Sequence, residues 1–191
     1  AGEPCARKAS RLFDYDEVLK PLLGREASGA FYDATKRTWG WNSRYWHQRA
    51  QHRLDIAATA TDPTERRESA DIAVQHARFA STIEARHQFT KTTIGRMLFG
   101  RMEVLGEIGA ADLAEAITAL SAAISIERNI GRPTVHPFMT LFTGVTRALD
   151  LGAILSPDQR QTVRSQIDQA IELFPRDGDV RSEATRLRRL L

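Results

Sequence analysis

The chain has 191 residues, of which 42% are hydrophobic and 27% charged, with a net charge of +3 and a pI near 9.3. That length suits one domain or one compact array with a real core, and the charge is too small to be the footprint of a dedicated nucleic-acid binder. No apolar run approaches a membrane span, and the lone cysteine, Cys5, excludes an internal disulfide, so a reduced, cytoplasmic setting is expected. The opening residues are polar and unlike a secretory signal. With no initiator Met, the chain is expected to be processed or part of a larger protein.

Strand signals are nearly absent. Asp14 to Leu23 is predicted as a short helix, with Asp16 and Glu17 in its first turn and Gly24 beyond its end. Glu26 to Thr38 follows as another. Ser43 to Thr61 places Trp46, Ala50, Leu54 and Ala57 on one stripe. Asp62-Pro63-Thr64-Glu65 restarts the helix, with Asp62 as cap, Pro63 in the first turn and Glu65 placed to close a capping box. The helix it opens carries Ala73, Ala77 and Ala80 on one side, and the next, Phe89 to Leu105, carries Ile94, Met97 and Leu98. Asp112 to Arg128 has the cleanest pattern, since Leu113, Ala116, Ile117, Leu120 and Ile124 follow the spacing of a buried helix face. Gly131 is the expected left-handed stop. Phe138, Leu141, Phe142, Val145 and Leu149 define a further helix. Ser156-Pro157-Asp158-Gln159 is a second capping box, opening a helix that Pro175 ends, and a last helix runs from about Val180 to Leu191.

The helix starts recur. Asp62-Pro63 and Ser156-Pro157 lie 94 residues apart, and a third start near Ala110 falls halfway, which implies a repeat of about 47 residues. That step takes Ala73 to Leu120 and Ile167, and Ala77 to Ile124 and Ile171, all apolar. A two-helix unit buries its apolar face only by stacking on the next. The expected fold is therefore all-α, an array of antiparallel helical hairpins. Residues 1–41 form an N-terminal helical segment or linker. Residues 42–191 form the repeat domain, with the last helix as its cap.

Gln169-Ala170-Ile171-Glu172-Leu173-Phe174-Pro175 resembles the end of the second helix of a tetratricopeptide unit, and Tyr45-Trp46-His47-Gln48-Arg49-Ala50 the aromatic opening of a first helix. The period departs from the 34 residues usual in that family, which implies longer helices. Together with His87-Gln88-Phe89-Thr90-Lys91-Thr92-Thr93-Ile94-Gly95, the segment Tyr45–Ala50 also resembles the helical sensor region of bacterial STAND-type defence proteins. There the resemblance implies sensing or assembly. No P-loop pattern accompanies it here.

The chemistry-bearing residues point to binding. Trp39, Trp41, Tyr45 and Trp46 cluster among Arg37, Arg44, Arg49 and Arg53. Such a segment can form a peptide hot spot or stack bases and pair phosphates; it can also simply plug the end of the array, with Trp46 as core. His47 and His52 point to different sides of a helix. His76 lies on an amphipathic helix, His136 lies at a helix start beside Pro137, and His87, also at a start, is the histidine with the best claim to a special role. No metal or cofactor is implied by their spacing. No nucleophile elbow or buried carboxylate pair offers an enzymatic mechanism.

The expected function is a non-enzymatic interaction or sensor module for a protein or peptide, a second copy of the chain included, with no membrane role. Its contacts are placed on the first helices of successive hairpins. Arg44, Gln48 and His52 lie on one, Lys91 and Arg96 on the next, and Thr140 and Arg147 on the third, with Arg44, Gln48, His52 and Lys91 as chief contacts and Trp39 and Trp41 as a hot spot. The alternative is a module binding single-stranded nucleic acid through residues 37–53.

Overall fold

The computed structural model describes residues 29–191, and every regular element among them is an α-helix. The predicted Asp14–Leu23 helix and Cys5 lie outside the described residues. Helix α1 is described over 29–39. It is followed by α2 (Ser43–Thr59), α3 (Pro63–Ile83), α4 (Gln88–Leu105), α5 (Ala110–Asn129), α6 (Val135–Asp150), α7 (Pro157–Leu173) and α8 (Gly178–Leu190). No helix among the described residues is long and apolar enough to cross a membrane.

Local chemistry sets these boundaries. Asp62 accepts from the amides of both Thr64 and Glu65, using its two carboxylate oxygens, so the cap of α3 is complete without the expected reciprocal bond from Glu65. The reciprocal box forms at Ser156 with Gln159. His87 is the cap of α4, its Nδ1 accepting from the Phe89 amide at 3.2 Å, which accounts for a histidine at that helix start. Gly131 has φ 69°, as the stop after α5 requires. The caps of α3, α5 and α7 are residues 62, 109 and 156, two steps of 47. Those of α4 and α6, residues 87 and 134, repeat the step.

Connections no longer than residues 151–156 force successive helices antiparallel. Each helix from α2 on packs on its neighbour, and α2, α4, α6 and α8 also pack on one another in series. Two glycines permit this close approach. A Cβ at Gly100 would collide with Leu54 of α2, and one at Gly144 with Phe99 of α4. Ala73, Ala77, Leu120, Ile124 and Ile167 are all buried, while Ile171 packs at the edge of the core. One apolar cluster runs from α2 to α8, and a smaller aromatic one closes the other end around Tyr32, Tyr45, Trp46 and Ala80. The sequence boundary at residue 41 falls in the turn between α1 and α2. Tyr32 crosses it, its ring 6.0 Å from that of Tyr45.

Candidate functional site

The serial packing of α2, α4 and α6 brings three polar stripes side by side. Spacings of four, three and four residues keep each stripe on one helix face. On α2 the stripe is Arg44, Gln48, Gln51 and Asp55; on α4 it is Phe89, Thr93, Arg96 and Gly100; on α6 it is His136, Thr140, Thr143 and Arg147. Apart from buried Thr93, these residues are half-buried or exposed.

Arg96 lies at the centre. Its Nη2 is 3.4 Å from His47 Nε2. A guanidinium only donates, so Nε2 accepts and the imidazole proton sits on Nδ1. Nδ1 then donates to Thr93 Oγ1 at 2.7 Å, and Thr93 donates to the Phe89 carbonyl at 2.9 Å. This chain of bonds ties α2 to α4 and needs a neutral His47. Burial, followed by the charges of Arg96, His136 and Arg44, pushes the His47 pKa down to about 3. His136 is also held below its ordinary value, by burial and then by Arg96, with Glu127 opposing. Burial lowers Arg96 itself, and Asp55 is the charge that offsets this. Arg96 Nε is shielded from solvent and has no hydrogen-bond partner, and Arg96 makes no ion pair among the described residues. Asp55 accepts from Gln51 at 2.8 Å. Glu127 caps α6 from α5, accepting from the Thr134 amide at 2.8 Å and from its hydroxyl.

The expected contacts divide. Arg44, Gln48, Arg96, Thr140 and Arg147 share this face. His52 does not present itself there: it is 3% exposed, its ring 5.5 Å from that of Tyr32, because α1 packs over that flank of α2. Lys91 turns to α3, where Nζ donates to Ser81 Oγ at 3.1 Å. Five residues along a helix rotate the side chain by about 140°, so Lys91 and Arg96 cannot serve one face. Trp39 is half-buried in the aromatic end. Trp41, its ring 6.3 Å away, is 60% exposed with Nε1 donating to the Thr38 carbonyl at 2.8 Å. Trp46 is core, its Nε1 bonded to the Gly40 carbonyl at 2.7 Å. Arg49 is committed to Asp33 at 2.5 Å and to the Tyr45 hydroxyl at 2.9 Å.

His47, Asp55 and His136 were not singled out by sequence reasoning as parts of one site. The signal that finds Asp55 and His136 is register: steps of 45 and 47 residues between the caps Asn42, His87 and Thr134 align the three stripes; His47 lies off its stripe, and only its bonds to Arg96 and Thr93 place it in the site. Among the described residues no three His, Cys, Asp or Glu side chains converge as a metal site would require.

The class that this geometry defines is an all-α stack of antiparallel helices with a polar face built across three of them. Compared with family models, with curated proteins and with solved structures, the chain finds no significant match in any of the three.

Proposed function

We propose that the chain is a non-enzymatic interaction module, a tetratricopeptide-like array of helical hairpins that holds a protein or peptide along the shared face of α2, α4 and α6. The observation that carries this reading is the register of the three stripes, one helix from each hairpin. Most polar groups of the stripes are bonded within the fold, but the buried Arg96 Nε at their centre is not, and a bound chain can satisfy it. Recurrence of the helix caps at 47-residue steps supports the repeat architecture. A sensing or assembly role within a larger protein fits such a module. Catalysis has less support. His47, the histidine nearest the centre, has both ring nitrogens bonded and its pKa lowered to about 3, which makes it a weak base at ordinary pH. Nucleic-acid binding by residues 37–53 also has less support, since Trp46 and Arg49 are engaged internally.

Bulky replacements test the face. Gln48→Trp and Thr143→Trp should abolish partner capture from an extract of the source cells. Glu68→Trp and Gln75→Trp, exposed on α3, should leave capture intact at a matched melting temperature. The opposite pattern moves the binding surface to the outer helices.

A further inference from the structure

Several arginines among the described residues, including the well-buried Arg49 and Arg101, are answered by a carboxylate from another helix or loop. Arg78 bonds Glu115 at 2.5 and 3.0 Å, Arg101 bonds Asp71 at 2.7 Å and Asp112 at 2.9 Å, and Arg67 bonds Glu107 at 2.5 Å. Arg147 is paired with Glu103, Arg186 with Asp150 and Arg188 with Asp168. Arg96 is more buried than most of these, yet no described carboxylate lies within ion-pair distance of it. A largely buried cation with one long bond to a neutral imidazole lacks the partner that such a charge ordinarily requires.

The charges facing it can be enumerated helix by helix. Arg44 comes from α2 and His136 from α6. Asp55, the acid on α2, already accepts from Gln51, and Glu127, behind His136, is spent on the α6 cap. Arg147, at the far end of the α6 stripe, is neutralised by Glu103. The charges of Asp55 and Glu127 balance the face as a whole, but no described carboxylate comes within ion-pair distance of Arg96 itself. Amide and hydroxyl groups flank it, from Gln48 on α2 and Thr140 and Thr143 on α6. Phe89, the phenyl ring of the stripes, already packs on His47 at 4.4 Å.

Building on the interaction reading above, we infer that this face receives an acidic peptide segment, with a carboxylate set against Arg96 between His47 and His136. An extended chain crossing three helices spaced about 9 Å apart covers ~18 Å, or about six residues. The Gln48 amide can bond its backbone, and Thr140 and Thr143, whose hydroxyls donate to the His136 and Met139 carbonyls, can accept from its amides. The site is also proton-linked. A bound carboxylate offsets the Arg96 charge, which after burial is the next cause that lowers both His47 and His136. Their proton affinity therefore rises on binding, and binding strengthens as pH falls.

The probe is a fluorescein-labelled octapeptide alternating Glu and Ala, followed by anisotropy, with Gln in place of Glu as its control and an eight-base single strand of thymidines as competitor. The Glu peptide should bind, and the Gln peptide at least tenfold more weakly. Moving from pH 7.5 to 5.5 should tighten binding at least threefold, because glutamates with pKa about 4.3 stay charged over that range. Arg96→Met should lose the peptide while melting no lower than wild type. Thr140→Glu, which leaves the Arg96 contacts intact, should weaken binding about tenfold. His47→Gln with His136→Gln should abolish the pH dependence.

Equal binding of Glu and Gln peptides, or indifference to Thr140→Glu, overturns the carboxylate site. Displacement of the peptide by the thymidine strand at lower concentration than by unlabelled peptide assigns the face to nucleic acid. If the Glu peptide fails while Gln48→Trp and Thr143→Trp still abolish partner capture, the acidic ligand is wrong and the interaction face stands. If those variants also retain capture, both readings fall.

Discussion

The outer and inner sides of this helical stack use the same residue type in opposite ways. On the outer side, Arg78 of α3 meets Glu115 of α5, and Arg101 of α4 turns away from the stripe to meet Asp71 of α3 and Asp112 of α5, so each charge doubles as a strut between helices. On the inner side, Arg96 of α4 lies between His47 and His136, with Asp55 acting on it only through space. The difference teaches that a paired arginine belongs to the architecture, whereas a largely buried one without an acid is a place where stability has been given up. Such a place is where a ligand can supply what the fold withholds.

The sharpest way to break the comparison is at the seam between the two sides. Leu120 of α5 is fully buried against Gly95 of α4, so closely that a Cβ at Gly95 would collide with it. Leu120→Ala should cost about 2–5 kcal/mol in urea denaturation. Adding Gly95→Ala should recover part of that loss, because the new methyl enters the vacated space. A strictly additive double mutant would show that α4 and α5 do not meet as described.

Acid sharpens the comparison next. The His47 pKa of about 3 lies below the unfolded value of 6.5, so between these limits the unfolded chain binds the proton and the folded chain does not. Stability is then complete above pH 6.5 and is lost as pH falls toward 3. By pH 4 the loss from this histidine is about 3 kcal/mol. His76, pushed down to about 4 by burial and then by Arg49 and Arg53, adds in the same direction from α3. Equilibrium unfolding of His47→Gln and of wild type at pH 4 and pH 7 should show a smaller pH difference in the variant. An unchanged difference would mean that His47 is not buried neutral on the inner side.

Replacing each arginine by methionine compares the two sides directly. Arg101→Met should lower stability by about 1–2 kcal/mol, since it breaks two charge-assisted bonds and leaves Asp112 half-buried. Arg96→Met should be neutral or stabilising by up to about 1 kcal/mol, because it removes a buried charge that no ion pair repays. Equal losses at both positions would erase the contrast. The smallest effect is expected at Trp41, 60% exposed at the aromatic end. Trp41→Ala should change stability by less than about 0.5 kcal/mol, as checked by thermal melting.

Much of the fold was legible in the chain because helix boundaries and buried faces are short-range properties. Asp62, Ser156 and Gly131 act within three or four residues of themselves. Leu113, Ala116, Ile117, Leu120 and Ile124 select their side of α5 by periodicity alone. Even the 47-residue step needs nothing beyond comparing one helix start with the next.

What only the tertiary structure decided is which remaining flank of each helix meets a neighbouring helix and which does not. A helix has one apolar face but several polar flanks, and propensity treats those flanks alike. Packing of α1 on α2 took His52 out of the inner face, and packing of α4 on α3 gave Lys91 to Ser81. Arg96, with the same sequence character as Arg101, has no ion pair among the described residues, whereas the carboxylates that satisfy Arg101 stand 30 and 11 residues away along the chain and reach it only through the fold. Charge pairing depends on distances of a few ångströms between helices, and those distances are fixed by interdigitated side chains rather than by any local pattern.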